Sequence, residues 1–385
     1  MELLERLARD YRCQIHLFSQ RVEDVAVDHS DVPRTGEAGA IWWHKVPSVG
    51  GPHLLQFLSW LAANGFLRWY HRLFRNAAFD LVLSPGINCL NADVVIVHAL
   101  FHRLRELSCE EANDSLTETG FARRLHRRAY YGLLAALERR VYSDRDVSLA
   151  AVSQRTAALL TQYFHRRDVQ VIPNGVDAAQ FSVSARMALR LEARRRRNFH
   201  DSDCVLLLIG NDWRVKGVPT ILAAMAAAPS LPLRLLVAGN DAVDPFREMA
   251  KRLGILDRCQ WELPRADVID LYAAADIYVS PSHEDSFGLP VAESMACGLP
   301  VITSVFAGVS GLIRDGVDGF VLLDPDDERA LAKLLERLLI DEDLRNSVGG
   351  AAAVAAQEWT WDRNAGAVWE LLKEALAKKG NSSAS

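Results

Sequence analysis

The sequence predicts an α/β protein with two doubly wound, Rossmann-like domains. Three observations carry that reading: a length of 385 residues, half of them hydrophobic; short apolar runs that alternate with amphipathic stretches; and one polar, strongly basic interruption near the middle. A chain of this length exceeds one ordinary core, so two globular domains follow. Strands that alternate with helices imply parallel sheet covered on both faces.

Residues 2–12 have helical apolar spacing and lead into the run Gln14 to Phe18, which reads as a buried strand. Residues 81–83 and Val94–Val97 read as strands, Phe121–Tyr142 as a long amphipathic helix, and residues 147–152 and 169–172 as further strands. Between Asp177 and Ser202 the chain turns polar and basic, with Arg194, Arg195, Arg196 and Arg197 in succession, and the domain joint is expected there. A second alternating series then runs through residues 205–209, 235–238, 277–279 and 301–303. The expected division is 1–180, 181–360, and a final helix 361–385 that packs back on the first domain and ends in a disordered tail. Two doubly wound units face each other across a cleft in this reading.

Composition removes several classes. The formal charge of −5 gives no basic surplus for nucleic acid. Six cysteines, Cys13, Cys89, Cys109, Cys204, Cys259 and Cys297, show no C-x-x-C spacing, which argues against zinc or a redox motif and suits a reducing compartment. No His/Asp cluster has metal-ligand spacing, so no metal is expected. No apolar run reaches the roughly 18 residues of a membrane span, and the start Met-Glu-Leu-Leu-Glu-Arg lacks the order of a signal peptide, so a cytoplasmic protein is expected. The basic residues Arg123, Arg124, Arg127 and Arg128, and residues 60–75 with their Trp, Phe and Arg, suit peripheral contact with an anionic membrane face; a solvated helix face competes with that reading.

The most informative stretch is Ser280-Pro281-Ser282-His283-Glu284-Asp285-Ser286-Phe287-Gly288-Leu289-Pro290-Val291-Ala292-Glu293. A strand, a polar turn with one glycine and a helix leave unpaired amides at the helix start, where a phosphate binds. Carboxylates accept hydroxyls, so Asp285 and Glu293 beside such a turn suggest a ligand with both phosphate and sugar. Their separation, about 12 Å if helical throughout, argues against a glycosidase acid/base pair. An ordinary first-turn glutamate is the plainer account of Glu293.

The loop Gly210-Asn211-Asp212-Trp213-Arg214-Val215-Lys216-Gly217 repeats the strand, loop, cation, glycine, helix order and places Lys216 at the carboxyl edge of a sheet; a solvated loop lysine competes. His98 ends the strand Val94–Val97 and is preferred to His102 as a residue facing the cleft, against a packed histidine. Ile172-Pro173-Asn174-Gly175-Val176-Asp177 reads as a hinge.

Together these segments, with Ala275-Asp276-Ile277-Tyr278-Val279, Glu293-Ser294-Met295-Ala296-Cys297-Gly298, Gly308, Gly316 and Gly319, resemble the retaining glycosyltransferases of family 4, which have the GT-B fold. The loop Gly-Asn-Asp-Trp is similar to the lipopolysaccharide-core glucosyltransferase branch. The resemblance implies a nucleotide-sugar donor, such as a UDP-sugar or GDP-sugar, a glycan or glycolipid acceptor, and no cofactor. It implies that Lys216 neutralises the donor diphosphate, that Glu293 holds the ribose, and that Asp285 binds sugar hydroxyls. By the same resemblance Ser286 and the amides near Phe287, Gly288 and Leu289 contact phosphate and sugar, the base sits over Leu263 to Arg265, and His98 lies by the transferred sugar.

Three departures stand out. Asn211 occupies the place where the family carries arginine, with Arg214 as a substitute charge. Asp285 occupies the place of a glutamate and is one carbon shorter. A first strand and glycine-rich loop are expected ahead of the first helix, so they lie upstream of Met1 or are lost; Gly50-Gly51-Pro52 comes too late and reads as a turn. The function expected is retaining sugar transfer in envelope polysaccharide, lipopolysaccharide or glycolipid synthesis. A nucleotide-sugar-binding partner subunit with little turnover and a nucleotide-sugar epimerase are the alternatives.

Overall fold

The structure, a computed structural model, describes residues 2–22, 39–74, 79–113, 121–265 and 267–383. Arg75, the side chains of Cys109, Arg123, Arg124 and Arg127, and the tail after residue 383 lie outside the described residues. The chain forms two compact units, residues 1–173 with 361–385, and residues 174–360.

The first unit contains α1 (Glu2–Tyr11), β1 (Ile15–Ser19), β2 (Ile41–Lys45), α2 (His53–Phe74), β3 (Leu83–Pro85), β4 (Val94–Val97), α3 (Phe101–Asn113), α4 (Phe121–Tyr142), β5 (Ser148–Ala151), α5 (Gln154–Phe164) and β6 (Gln170–Val171). Its parallel strands form a pair, β1-β2, and a four-stranded sheet in the order β3-β4-β5-β6. All four residues of β4 are buried, as an aliphatic strand covered on both faces must be. Their core continues through Leu134, Tyr142, Leu149 and Leu160.

The second unit contains α6 (Val183–Arg196), β7 (Cys204–Ile209), α7 (Val218–Ala227), β8 (Leu233–Ala238), α8 (Asp244–Arg252), β9 (Cys259–Glu262), α9 (Ile269–Ala274), β10 (Ile277–Ser280), α10 (Leu289–Ala296), β11 (Val301–Ser304), β12 (Phe320–Leu322), α11 (Glu328–Ile340) and α12 (Glu342–Ala356). The strands pair in parallel in the order β12-β11-β10-β7-β8-β9. Strand order therefore reverses between β7 and β10, and the loops that follow these two strands flank the reversal at the carboxyl edge, the place where open α/β sheets bind ligands.

The last helix, α13 (Trp361–Ser383), belongs to the first unit. It packs on α1, with the Tyr11 and Trp369 rings 5.3 Å apart, and the Asn364 amide donates to Pro173 O at 2.7 Å.

The division between the units falls at Pro173 and Asn174, inside the turn read as a hinge, and not between Asp177 and Ser202. The basic run there is the end of α6, anchored on the second unit. Arg194 is buried and donates to Ala274 O, His200 O, Asp203 O and Asp276. Arg197 is buried against Glu262 and Asp270. Four arginines in sequence look like a solvated linker, but carbonyls and carboxylates already gathered at strand ends draw two of them inside.

Candidate functional site

The loop after β7 is built around a buried tryptophan. Trp213 is fully buried; its indole donates to Gly210 O at 2.8 Å, and its amide donates to Asp241 Oδ2 at 2.7 Å. Asn211 Oδ1 accepts from the Asn240 amide at 2.8 Å. The side chain expected to face a ligand thus ties this loop to the one after β8. Gly239 allows the two loops to touch, since a Cβ there would lie 1.9 Å from Gly210 O. The Arg214 side chain is exposed and has no hydrogen-bond or ion-pair partner among the described residues.

The loops after β7 and β10 lock together. Gly217 has φ +82°, and a Cβ on it would lie 2.2 Å from Pro281 O, so only glycine permits the contact. The His283 amide donates to Val215 O at 2.8 Å. Beyond them Lys216 Nζ meets Asp285 Oδ2 at 2.5 Å, with each side chain close to one-fifth exposed. The Asp285 backbone is held on both sides: its amide donates to Phe306 O at 3.1 Å, and its carbonyl accepts from Gly308 at 2.8 Å.

Gly288 caps α10 with φ +91° and offers no side chain to its amides, and Gly217 caps α7 in the same way. First-turn amides have no acceptor within the helix, and at α10 those of Gly288 and Leu289 remain as donors to an anion; at α7 the Gly217 and Val218 amides donate instead to Arg214 O and Trp213 O. The Phe287 amide is engaged, because it donates to Asp285 Oδ1 at 3.3 Å. The Phe287 ring is buried, Gly288 is buried, and Ser286 and Leu289 are half-buried in the same turn.

Glu293 lies on α10, and the Tyr272 hydroxyl from α9 donates to its Oε2 at 2.6 Å. Burial pushes the Glu293 carboxyl up to about 7, while the Tyr272 hydrogen bond acts in the opposite direction. Burial raises the Tyr278 pKa, and Asp285 and Glu293 both add to the rise. Its hydroxyl bonds to Ile209 O at 3.3 Å, which places the ring under the β7 loop. Neither tyrosine stands out in the sequence, since each lies in an apolar run that reads as core.

Arg265 is engaged elsewhere. It pairs with Asp270 Oδ2 at 3.2 Å and with Glu262 Oε2 at 3.3 Å, within a cluster that also holds Arg196 and Arg197. Leu263, by contrast, is 74% exposed at the carboxyl end of β9.

His98 belongs to the first unit, where it follows the last residue of β4 and has an exposed side chain. Desolvation by surrounding protein lowers its pKa, which favours the neutral ring. His102 is committed to structure: its Nδ1 meets the buried Glu138 at 2.6 Å, and Glu138 also accepts from the Phe101 and His102 amides. Among the described residues no three His, Cys, Asp or Glu side chains are arranged to hold a metal.

Two units of parallel α/β structure, with glycine-capped helix starts and paired charges at a strand-order reversal, define a GT-B protein. The profile of Glycosyltransferase Family 4 matches residues 1–180, and that of Glycosyl transferases group 1 matches residues 190–354. The D-inositol 3-phosphate glycosyltransferase of Segniliparus rotundus is 32% identical over 325 residues, 81% of this chain and 68% of its own length. The one from Salinispora arenicola is 32% identical over 260 residues, 63% of this chain, and the chain spans 58% of that relative's length. Two solved structures share the fold. WaaG, a glycosyltransferase involved in lipopolysaccharide biosynthesis, aligns with TM-score 0.72 at 22% identity, covering 95% of this chain and 93% of its own. Anabaena HepE, solved with UDP and glucose, aligns with TM-score 0.62 at 19% identity, covering 97% and 95%. The chain belongs to glycosyltransferase family 4.

Proposed function

We propose that the protein transfers a sugar from a nucleoside diphosphate sugar to a hydroxyl acceptor with retained anomeric configuration. The observation that carries this reading is the Lys216–Asp285 pair beside the Gly288 helix start. A cation, free helix amides and two carboxylates at one sheet edge suit a ligand with a diphosphate between two sugars. HepE, similar in fold, was solved with UDP and glucose, which supports a donor of this kind.

In this reading the donor diphosphate displaces Asp285 from Lys216. Lys216 and the amides of Gly288 and Leu289 then neutralise the phosphate charge that grows as the bond from the anomeric carbon to the phosphate oxygen breaks. The acceptor oxygen forms its bond on the same face of the sugar, and its proton passes to the leaving phosphate. Asp285, once released, accepts hydroxyls of the transferred sugar, and Glu293 accepts hydroxyls of the nucleotide ribose. Arg214, exposed and unpartnered, adds charge at the phosphate. Arg265 is assigned to the base only if it leaves Asp270; the exposed Leu263 is the better contact for a base. The reaction needs no cofactor from the protein. The acceptor belongs to envelope polysaccharide, lipopolysaccharide or glycolipid synthesis, a reading supported by the role named for WaaG.

A second reading is favoured by one observation: Asn211 is turned away to Asn240 where the family carries an arginine, so the site has one fewer fixed cation. A partner subunit that binds nucleotide sugar without turning it over follows from that. The experiment is NMR of the anomeric proton while UDP- and GDP-sugars are incubated with candidate acceptors. Product with the donor's configuration supports transfer. Binding without turnover supports the partner subunit, and failure to bind any nucleoside diphosphate removes both readings.

A further inference from the structure

Helix α2 is apolar on its outward side as well as where it meets the core. Its inward side sets Phe57 against the core and adds polar bonds: Asn64 is 7% exposed, and Arg68 Nε donates to Asn64 Oδ1 at 2.9 Å while a second nitrogen reaches Asn91 Oδ1 at 2.7 Å. Trp60 on the same helix donates to Asn88 O at 3.2 Å. The outward side carries Leu55, Leu58, Ala62, Phe66, Trp69 and Leu73, a line of three- and four-residue steps along one face. Phe66 is 60% exposed, Trp69 52%, Leu73 58% and Phe74 62%. The rings contact one another on the surface, with Phe66 and Trp69 centroids 5.7 Å apart and Tyr70 and Phe74 centroids 5.2 Å apart. A line of this kind exceeds the scattered apolar exposure of an ordinary surface and marks an interaction site.

We propose that the outward face of α2 docks on an anionic lipid bilayer surface. The stripe extends for about 27 Å at 1.5 Å per residue, so it lies along a surface. No described helix is long and apolar enough to cross a membrane. Aromatic rings beside arginine are the composition of helices that rest at the level of lipid headgroups. Charge selects the sign of the surface: between Gly39 and Phe79 the sequence holds no Asp or Glu, while Arg72 is exposed beside the stripe. A helix without a carboxylate offers no counter-charge to a second copy of itself, and so disfavours self-pairing over an acidic surface. The proposal rests on this surface alone and is independent of the sugar-transfer reading.

The test is co-sedimentation of the full chain with phosphatidylglycerol-containing vesicles and with pure phosphatidylcholine vesicles. Two variants accompany it, Phe66→Ser/Trp69→Ser/Leu73→Ser and Arg72→Gln, each checked for an unchanged melting temperature because the altered side chains are exposed. The wild type should bind the anionic vesicles and bind the neutral ones more weakly. The triple variant should lose about tenfold or more in partitioning, and Arg72→Gln about fivefold on anionic vesicles only. If the triple variant melts early, Arg72→Gln decides alone. The proposal is overturned by a wild type that does not sediment, by variants that bind as the wild type does, or by a dimer in solution that the triple variant dissolves.

Discussion

The Tyr272 hydroxyl donates to Glu293 Oε2 at 2.6 Å, and this bond joins the candidate ribose acceptor to the core beneath it. Burial raises the Glu293 pKa from 4.5 to about 7. The folded state therefore holds this proton more tightly than the unfolded chain. The stability it contributes is complete below pH 4.5 and is lost as pH rises through about 7. Glu293→Gln removes the titration, so its melting temperature should exceed that of the wild type by a few degrees at pH 8 and match it near pH 4.5. Equal offsets at both values would contradict the assignment.

Protonation also removes an acceptor for hydroxyls. In the proposed function the affinity for a nucleoside diphosphate should fall as pH is lowered through about 7, and the fall should be shallower in Glu293→Gln, where only the terminal phosphate of the ligand still titrates. Isothermal titration at a series of pH values reads this directly.

Asp285 competes with a diphosphate for Lys216 and also serves the transferred sugar. Asp285→Asn should bind UDP or GDP several-fold more tightly than the wild type while sugar transfer falls by about a hundredfold or more. A variant that loses both together would place Asp285 in nucleotide binding only.

Gly217→Ala places a methyl group where Pro281 O stands, 2.2 Å away, at φ +82°. The cost should be about 3 kcal/mol or more by urea denaturation. Gly316→Ala provides the comparison, because its φ is +74° with nothing within 4 Å of the added Cβ. That variant should cost only about 1–2 kcal/mol.

Asp270 is fully buried and pairs with Arg196, Arg197 and Arg265. Its replacement by alanine leaves these guanidinium groups without their shared acceptor. A loss of about 3–5 kcal/mol in a chemical melt is expected.

Much of this architecture is legible in the residues. Strands β4, β7, β8, β10 and β11 are aliphatic runs buried on both faces, and Gly217 and Gly288 each stand one residue before a helix with proline in its first turn. Strand β2 is less visible, since Ile-Trp-Trp-His-Lys has neither an aliphatic run nor clear alternation. Strand β9 hides for the same reason in Cys-Gln-Trp-Glu. The roles of Asn211, Arg265 and Tyr272 were not legible, because each is decided by a partner distant in sequence: Asn240, Asp270 and Glu293. Local spacing places a side chain at the sheet edge, and tertiary contacts then determine whether it faces a ligand or another loop.

In the proposed function Lys216 grips a diphosphate at the carboxyl edge of the second unit. Isothermal titration of UDP, GDP and the corresponding nucleosides into the wild type and Lys216→Ala measures this grip. At least one diphosphate should bind the wild type, and Lys216→Ala should lower its affinity at least about tenfold, toward that of the nucleoside. Equal affinity in the two proteins, or no binding of either diphosphate to the wild type, would contradict it.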